Sequence, residues 1–170
     1  VVGNGNTFRE FVTIHRGTKG GGGVTKIGDR NYLMAYSHVA HDCVVGNDVL
    51  FAQAGTLGGH VVVQDFATVG AYSGLHQFCR VGAHAFMGGA TIATRDVAPF
   101  SLTVGNRAHF FGLNLVGLRR RGFSAEAIAA LRAAYRVLVQ GGLPLAEALR
   151  RVEDGPLTDE VRSVVAFIRS

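Results

Sequence analysis

Every sixth residue from Ile27 onward is large and apolar: Ile27, Leu33, Val39, Val45, Phe51, Leu57, Val63, Val69, Leu75, Val81 and Met87. Four positions after each stands a residue that is nearly always small: Asn31, Ser37, Cys43, Val49, Gly55, Val61, Ala67, Ser73, Cys79, Ala85 and Thr91. A helix would space its apolar residues by three and four, and an ordinary strand by two. Period six, with one bulky and one small inward residue, fits short strands joined by tight corners. Three such strands close a triangular coil of eighteen residues, and stacked coils bury a continuous column. Residues 1–99 are therefore expected to form a hexapeptide β-helix. Glycines that follow the bulky residue (Gly28, Gly46, Gly58, Gly70, Gly82 and Gly88) are expected to ease the corners.

Val2, Phe8 and Ile14 extend the pattern upstream. An insert near 18–25, around Lys19-Gly20-Gly21-Gly22-Gly23, shifts the register by one residue, as a loop ejected from a corner would. It lacks the spacing of a phosphate-binding or dinucleotide motif and reads as a flexible arm. The repeat ends near Asp96-Val97-Ala98-Pro99 and gives way to a connector over 100–117. Residues 118–170 then turn rich in Ala, Leu and Arg and predict a small helical domain. Ser124 is the expected N-cap, with Ile128, Leu131, Tyr135 and Leu138 at helical spacing and Gly141-Gly142 as the stop. A second helix is expected after Pro144, and a third from near Thr158, cut at Ser170. With no initiating Met, and an opening already inside the pattern, the chain reads as a fragment.

The histidines change this picture from scaffold to chemistry. Let face a start at Ile27, face b at Leu33 and face c at Val39. His41, His60 and His76 then fall on face c in successive coils, with His38 ending the preceding b strand and His84 elsewhere. None occupies an inward slot. Asp42 and His60 are eighteen apart and should stack directly. Groups that titrate near neutrality beside a carboxylate suit general acid–base catalysis. Outward histidines that are merely tolerated, and a zinc site across a subunit boundary, are the competing readings. Cys43 and Cys79 fall in the small inward slot, so burial is expected rather than an acyl-enzyme, leaving a histidine to deprotonate the acceptor directly.

Charge narrows the partners. Seventeen Lys and Arg against twelve Asp and Glu give a net +5, with the densest run at Arg119-Arg120-Arg121. So mild an excess suits anionic small molecules or an acidic protein, and not duplex DNA. Two cysteines are too few for a disulfide scaffold, so a reducing, cytoplasmic setting is expected. No apolar run approaches the ~20 residues of a membrane span.

Two runs go further: His38-Val39-Ala40-His41-Asp42-Cys43, and Gly112-Leu113-Asn114-Leu115-Val116-Gly117-Leu118-Arg119-Arg120-Arg121-Gly122-Phe123. With Thr13-Ile14-His15-Arg16-Gly17-Thr18, Gly59-His60 and His76-Gln77-Phe78-Cys79, they closely resemble the UDP-N-acetylglucosamine O-acyltransferases of lipid A synthesis. The resemblance implies a left-handed β-helix, a homotrimer, and transfer of a 3-hydroxyacyl chain from acyl carrier protein to the sugar 3-hydroxyl. It implies His41 as general base, Asp42 as its orienting partner and the Gly59 amide as oxyanion donor. His38, His60, His76 and Gln77 correspond to substrate contacts. Asn114, Arg120 and Arg121 correspond to contacts with the donor arm or nucleotide phosphates. Gly89 matches a position that sets acyl-chain length and, as glycine, implies a longer chain, whereas Arg107 replaces a histidine that the best-known members carry. No cofactor or metal is implied. A relative acting on another nucleotide sugar, including a 3-amino analogue, or using acetyl-CoA, is the alternative; a zinc-dependent trimeric hydratase is the remote one.

Overall fold

A computed structural model describes residues 1–170, which fall into two compact units, residues 1–114 and 115–170. The first unit is a coil of two-residue strands. Its opening turn gives β1 (Thr7–Phe8) and β2 (Thr13–Ile14). The next gives β3 (Lys26–Ile27), β4 (Tyr32–Leu33) and β5 (His38–Val39). Then come β6 (Val44–Val45), β7 (Leu50–Phe51) and β8 (Thr56–Leu57). Above them lie β9 (Val62–Val63), β10 (Thr68–Val69) and β11 (Gly74–Leu75). Last are β12 (Arg80–Val81), β13 (Phe86–Met87) and β14 (Ile92–Ala93).

From β3 to β11 each strand pairs in parallel with the strand three further on, eighteen residues away, as Lys26 with Val44 and His38 with Thr56, whereas β1 and β2 pair with β4 and β5 across twenty-five. Three sheets result. Face a runs β12-β9-β6-β3, face c runs β14-β11-β8-β5-β2, and face b runs from β1 to β13. The b sheet continues into residues 100–117, where β15 (Ser101–Val104) pairs in parallel with β13 and antiparallel with β16 (His109–Leu113).

The bulky column is buried as its period requires. Leu33, Val39, Phe51, Leu57, Val69, Val81 and Met87 are fully enclosed, and the small column (Ser37, Cys43, Val61, Ala67, Ala85, Thr91) is enclosed beside it. Full burial of each large side chain contributes roughly 1.5–3 kcal/mol. Each strand begins one residue before its bulky member, because two residues suffice for a rung. His38 therefore belongs to β5 on face c, not to the end of the preceding b strand.

The corners depart from expectation. Thirteen non-glycine residues adopt left-handed backbone, among them Asp42, His60 and Phe78 at the c-to-a corner and Asp48, Phe66 and His84 at the a-to-b corner. Such conformations cost about 1 kcal/mol or more each for an L-residue, and aromatic stacking worth about 0.5–1.5 kcal/mol a pair offsets part of this. Phe11 stacks on Tyr36, His60 on Phe78, and His84 between Phe66 and Phe100. The glycines after the bulky residues serve another end: a Cβ on Gly28, Gly70 or Gly82 would run into the backbone of the adjoining coil. They let coils approach; they do not turn the corner.

The second unit is helical. It comprises α1 (Leu115–Arg120), α2 (Ala125–Tyr135), a π-helical turn at Arg136–Gln140, α3 (Leu145–Glu153) and α4 (Asp159–Arg169). Ser124 caps α2 by accepting from the Ala127 amide, and Thr158 caps α4 through Val161. Ile128, Leu131, Leu149, Val152, Val161 and Val164 form its core. No helix is long and apolar enough to cross a membrane.

Candidate active site

The c-to-a corner gathers the reactive side chains. His41 Nδ1 lies 2.9 Å from Asp42 Oδ2, with the imidazole 39% exposed and the carboxylate side chain 1%. One coil above, the His60 ring meets the His41 ring edge-on at 5.2 Å and stacks on Phe78 of the following coil at 4.6 Å. Ring and backbone are packed tightly beneath. A Cβ on Gly59 would sit 2.6 Å from His41 Cε1, so only glycine lets the imidazole lie over that backbone. The Gly59 carbonyl accepts from Phe78, whereas its amide meets no acceptor within the chain.

Asp42 is held unusually firmly. The Thr18 amide donates to both carboxylate oxygens at 3.0 and 3.1 Å, and the Thr18 hydroxyl donates to Oδ2 at 2.7 Å. The Asp42 amide donates to Thr25 Oγ1 at 2.8 Å. The insert is thus pinned to Asp42 at both shoulders, through a 3-10 turn at Lys19–Gly21, and is not the free arm expected from its glycines. Burial alone would raise the Asp42 pKa. Hydrogen bonds from the Thr18 hydroxyl, from His41 and from the Thr18 amide, with His60 nearby, override it and hold the carboxyl at about 2. At neutral pH Asp42 can only accept, so the proton between it and His41 sits on Nδ1. Nε2 of a neutral His41 then carries the lone pair that a base needs.

Other expected residues have different company. His38 Nδ1 lies 2.7 Å from Thr13 Oγ1, and its ring meets His15 edge-on at 4.6 Å. Burial, and then the neighbouring His15, lower the His38 pKa. His76 is exposed and turns Nδ1 toward the Gln77 carbonyl at 3.1 Å. Asn114 donates its side-chain amide to the His84 carbonyl at 3.1 Å. Arg120 ends α1 and Arg121 follows it, both exposed. Gly89 is exposed, and a Cβ there would touch only the Ala71 carbonyl at 3.5 Å.

Cys43 and Cys79 are buried, and that burial raises both thiol pKa values, which makes them poor nucleophiles. A cation could be offered His41, Asp42 and His60, whose donor atoms lie within 4.8 Å of one another. It would have to displace Thr18 and His41 from the carboxylate. Sequence reasoning missed Thr18, Thr25 and His15; Thr18 stood in a matched run but carried no pattern that assigned it a role.

Residues 96–170 match the family described as UDP N-acetylglucosamine O-acyltransferase, domain 2, and residues 24–54 match the bacterial transferase hexapeptide family. An acyl-[acyl-carrier-protein]–UDP-N-acetylglucosamine O-acyltransferase of Burkholderia orbicola is 55% identical over 148 residues, covering 87% of this chain and 56% of that protein. The chain thus spans less than two thirds of the length of that curated relative. A UDP-N-acetylglucosamine acyltransferase structure from Acinetobacter baumannii superposes with a TM-score of 0.93 at 38% identity, over 96% of this chain and 64% of that one. The coil is accordingly the left-handed β-helix that the resemblance implied. The Bacteroides fragilis UDP-N-acetylglucosamine acyltransferase is 31% identical with a TM-score of 0.92, and here 99% of this chain covers 78% of that one. Shared sequence across nearly all of this chain, and across more than three quarters of a solved relative, places it in the UDP-N-acetylglucosamine O-acyltransferase family.

Proposed function

We propose that the full-length protein transfers a 3-hydroxyacyl chain from acyl carrier protein to the 3-hydroxyl of UDP-N-acetylglucosamine, the first step of lipid A synthesis. His41 Nε2 takes the hydroxyl proton as the sugar oxygen attacks the thioester carbonyl. A C–O bond forms, the C–S bond breaks, and the imidazolium returns its proton to the leaving thiolate. Asp42 keeps His41 in the tautomer this requires, and the Gly59 amide donates to the oxyanion. The observation that carries the reading is the His41 ring, fixed at Nδ1 by a buried carboxylate and lying over a glycine whose amide has no acceptor in the chain.

His38 in β5 and His60, His76 and Gln77 toward the c-to-a corner serve as sugar contacts, and Asn114, Arg120 and Arg121 serve the donor arm or the phosphates. Arginine suits those anions because its planar fork binds two oxygens at once. Gly89 leaves room at the position assigned to chain length, which fits a long acyl group. Phe78 at 65% exposure, stacked on His60, and a part-exposed His41 at the same corner support a homotrimer in which a neighbouring copy excludes water there. Unpaired Cys43 and Cys79 fit a cytoplasmic setting.

Mass spectrometry of the product made by the full-length protein tests the reading. UDP-3-O-(3-hydroxyacyl)-N-acetylglucosamine is expected, and a panel of 3-amino sugars and acetyl-CoA separates the nearest alternatives. A zinc-dependent hydratase draws support from the His41–Asp42–His60 grouping. One tightly held zinc per chain, found by elemental analysis, would replace the transferase reading with that one.

A further inference from the structure

We infer that the glycine-rich insert is a clamp on the catalytic dyad, with Thr18 as its grip and a positioning residue for the reaction. The inference rests on the reading of His41 as general base. Three donor contacts from one residue converge on a carboxylate that is otherwise sealed, while Thr18 itself is exposed. An exposed threonine has no packing reason to be there; its amide and hydroxyl are what the site uses. The Thr18 carbonyl in turn accepts from the Gly21 and Gly23 amides, which closes the loop on itself.

Gly21 completes the grip. A Cβ there would strike the Asp42 carboxylate and the His60 ring, so the loop backbone touches both side chains as only glycine can. Thr25, buried at the far shoulder, accepts from the Asp42 amide and fixes the backbone that carries the carboxylate. Carboxylate and backbone of Asp42 are thus set independently, from opposite ends of one insert. The consequence is chemical. Asp42 Oδ2 receives both the Thr18 hydroxyl and His41 Nδ1–H, so the Thr18 bond decides where Oδ2 points and hence where His41 Nε2 faces. It also helps to hold the Asp42 carboxyl below the usual carboxylate range, so that Asp42 stays an acceptor.

The test uses the full-length protein. Thr18→Val removes the hydroxyl donor and keeps the amide; Thr18→Ala repeats the loss without valine's bulk; Thr18→Ser restores the donor. Loss of one hydrogen bond to a charged group predicts a fall in kcat of about tenfold for Val and Ala, with KM within about twofold, and recovery with Ser. Carbon-13 NMR of the Asp42 carboxyl should show its titration midpoint rising above about 2 in Val and Ala and returning in Ser. A Val variant with wild-type kcat and an unmoved Asp42 midpoint overturns the clamp. His41→Ala runs alongside. If it retains more than about a tenth of the rate, the base assignment has failed and takes the clamp with it; if it collapses while Val does not, the clamp alone has failed.

Discussion

His60 and His84 occupy the same left-handed backbone, at φ 62° and 57°, on two different corners of one prism. Their surroundings differ completely. His84 is sandwiched between Phe66 and Phe100, at 4.7 and 5.5 Å, on a corner whose neighbours are tied by Arg30–Asp48 and by Asp65 accepting from Asn47. His60 stacks on a single aromatic and turns its other side to His41 and Asp42. The fold offers every corner the same backbone. Only the His60 corner has in the corner below it a carboxylate that is buried, ionised and bonded by a loop, and the proposed chemistry is placed there.

The sharpest way to break the contrast is to remove the proposed base. His41→Ala in the full-length protein should cost roughly 10²–10⁴-fold in kcat, measured with acyl carrier protein thioester as donor, and a loss under tenfold removes His41 from that role. Gly59→Ala should come next, because its new methyl meets His41 Cε1 at 2.6 Å; displacing the ring predicts a fall of about 10²-fold, and wild-type kinetics would falsify the close approach.

The acid range sharpens the comparison without touching the rate. Asp42 titrates at about 2 in the fold against 3.8 when unperturbed. A depressed carboxyl contributes stability that is fully present above the unperturbed value and lost as pH falls through the folded one. Between about pH 4 and pH 2, Asp42→Asn should flatten the loss of stability seen in the parent protein. Denaturant midpoints across that window check it, and an unchanged slope contradicts the carboxylate's role. The smallest effect on turnover belongs to the other corner: His84→Ala should leave kcat within about twofold while lowering stability by about 0.5–3 kcal/mol, read from urea unfolding.

The rungs were legible because burial imposes a period, and period six placed every inward residue from Ile27 to Met87 where the fold has it. Helix caps at Ser124 and Thr158 were legible because an orphan amide needs a specific oxygen. The corners were not. Glycine is the residue expected at positive φ, yet here stacking between coils holds Tyr, Phe, His and Asp there, a cooperative effect that no local window contains. His38 was misplaced by a corner because a strand of two residues leaves no margin for its start. Asp42 was found beside His41 by adjacency, but the hydrogen bonds that hold its carboxylate come from Thr18, twenty-four residues earlier and outside the repeat. The π-helical turn after Tyr135 read as a plain continuation of α2, because Leu138 keeps the helical spacing, and the short α1 lacked any periodic signal of its own.

The insert has a last consequence for how such a protein can change. Rungs flanking it pair at twenty-five residues, as Thr7 with Tyr32, whereas the next pair at eighteen, as Lys26 with Val44, and both keep the same parallel register. Seven additional residues therefore lengthen the chain without raising the stack. A corner of this kind is a socket: new sequence can be grafted there, tried against the neighbouring side chains and discarded, while the column behind it never registers the exchange.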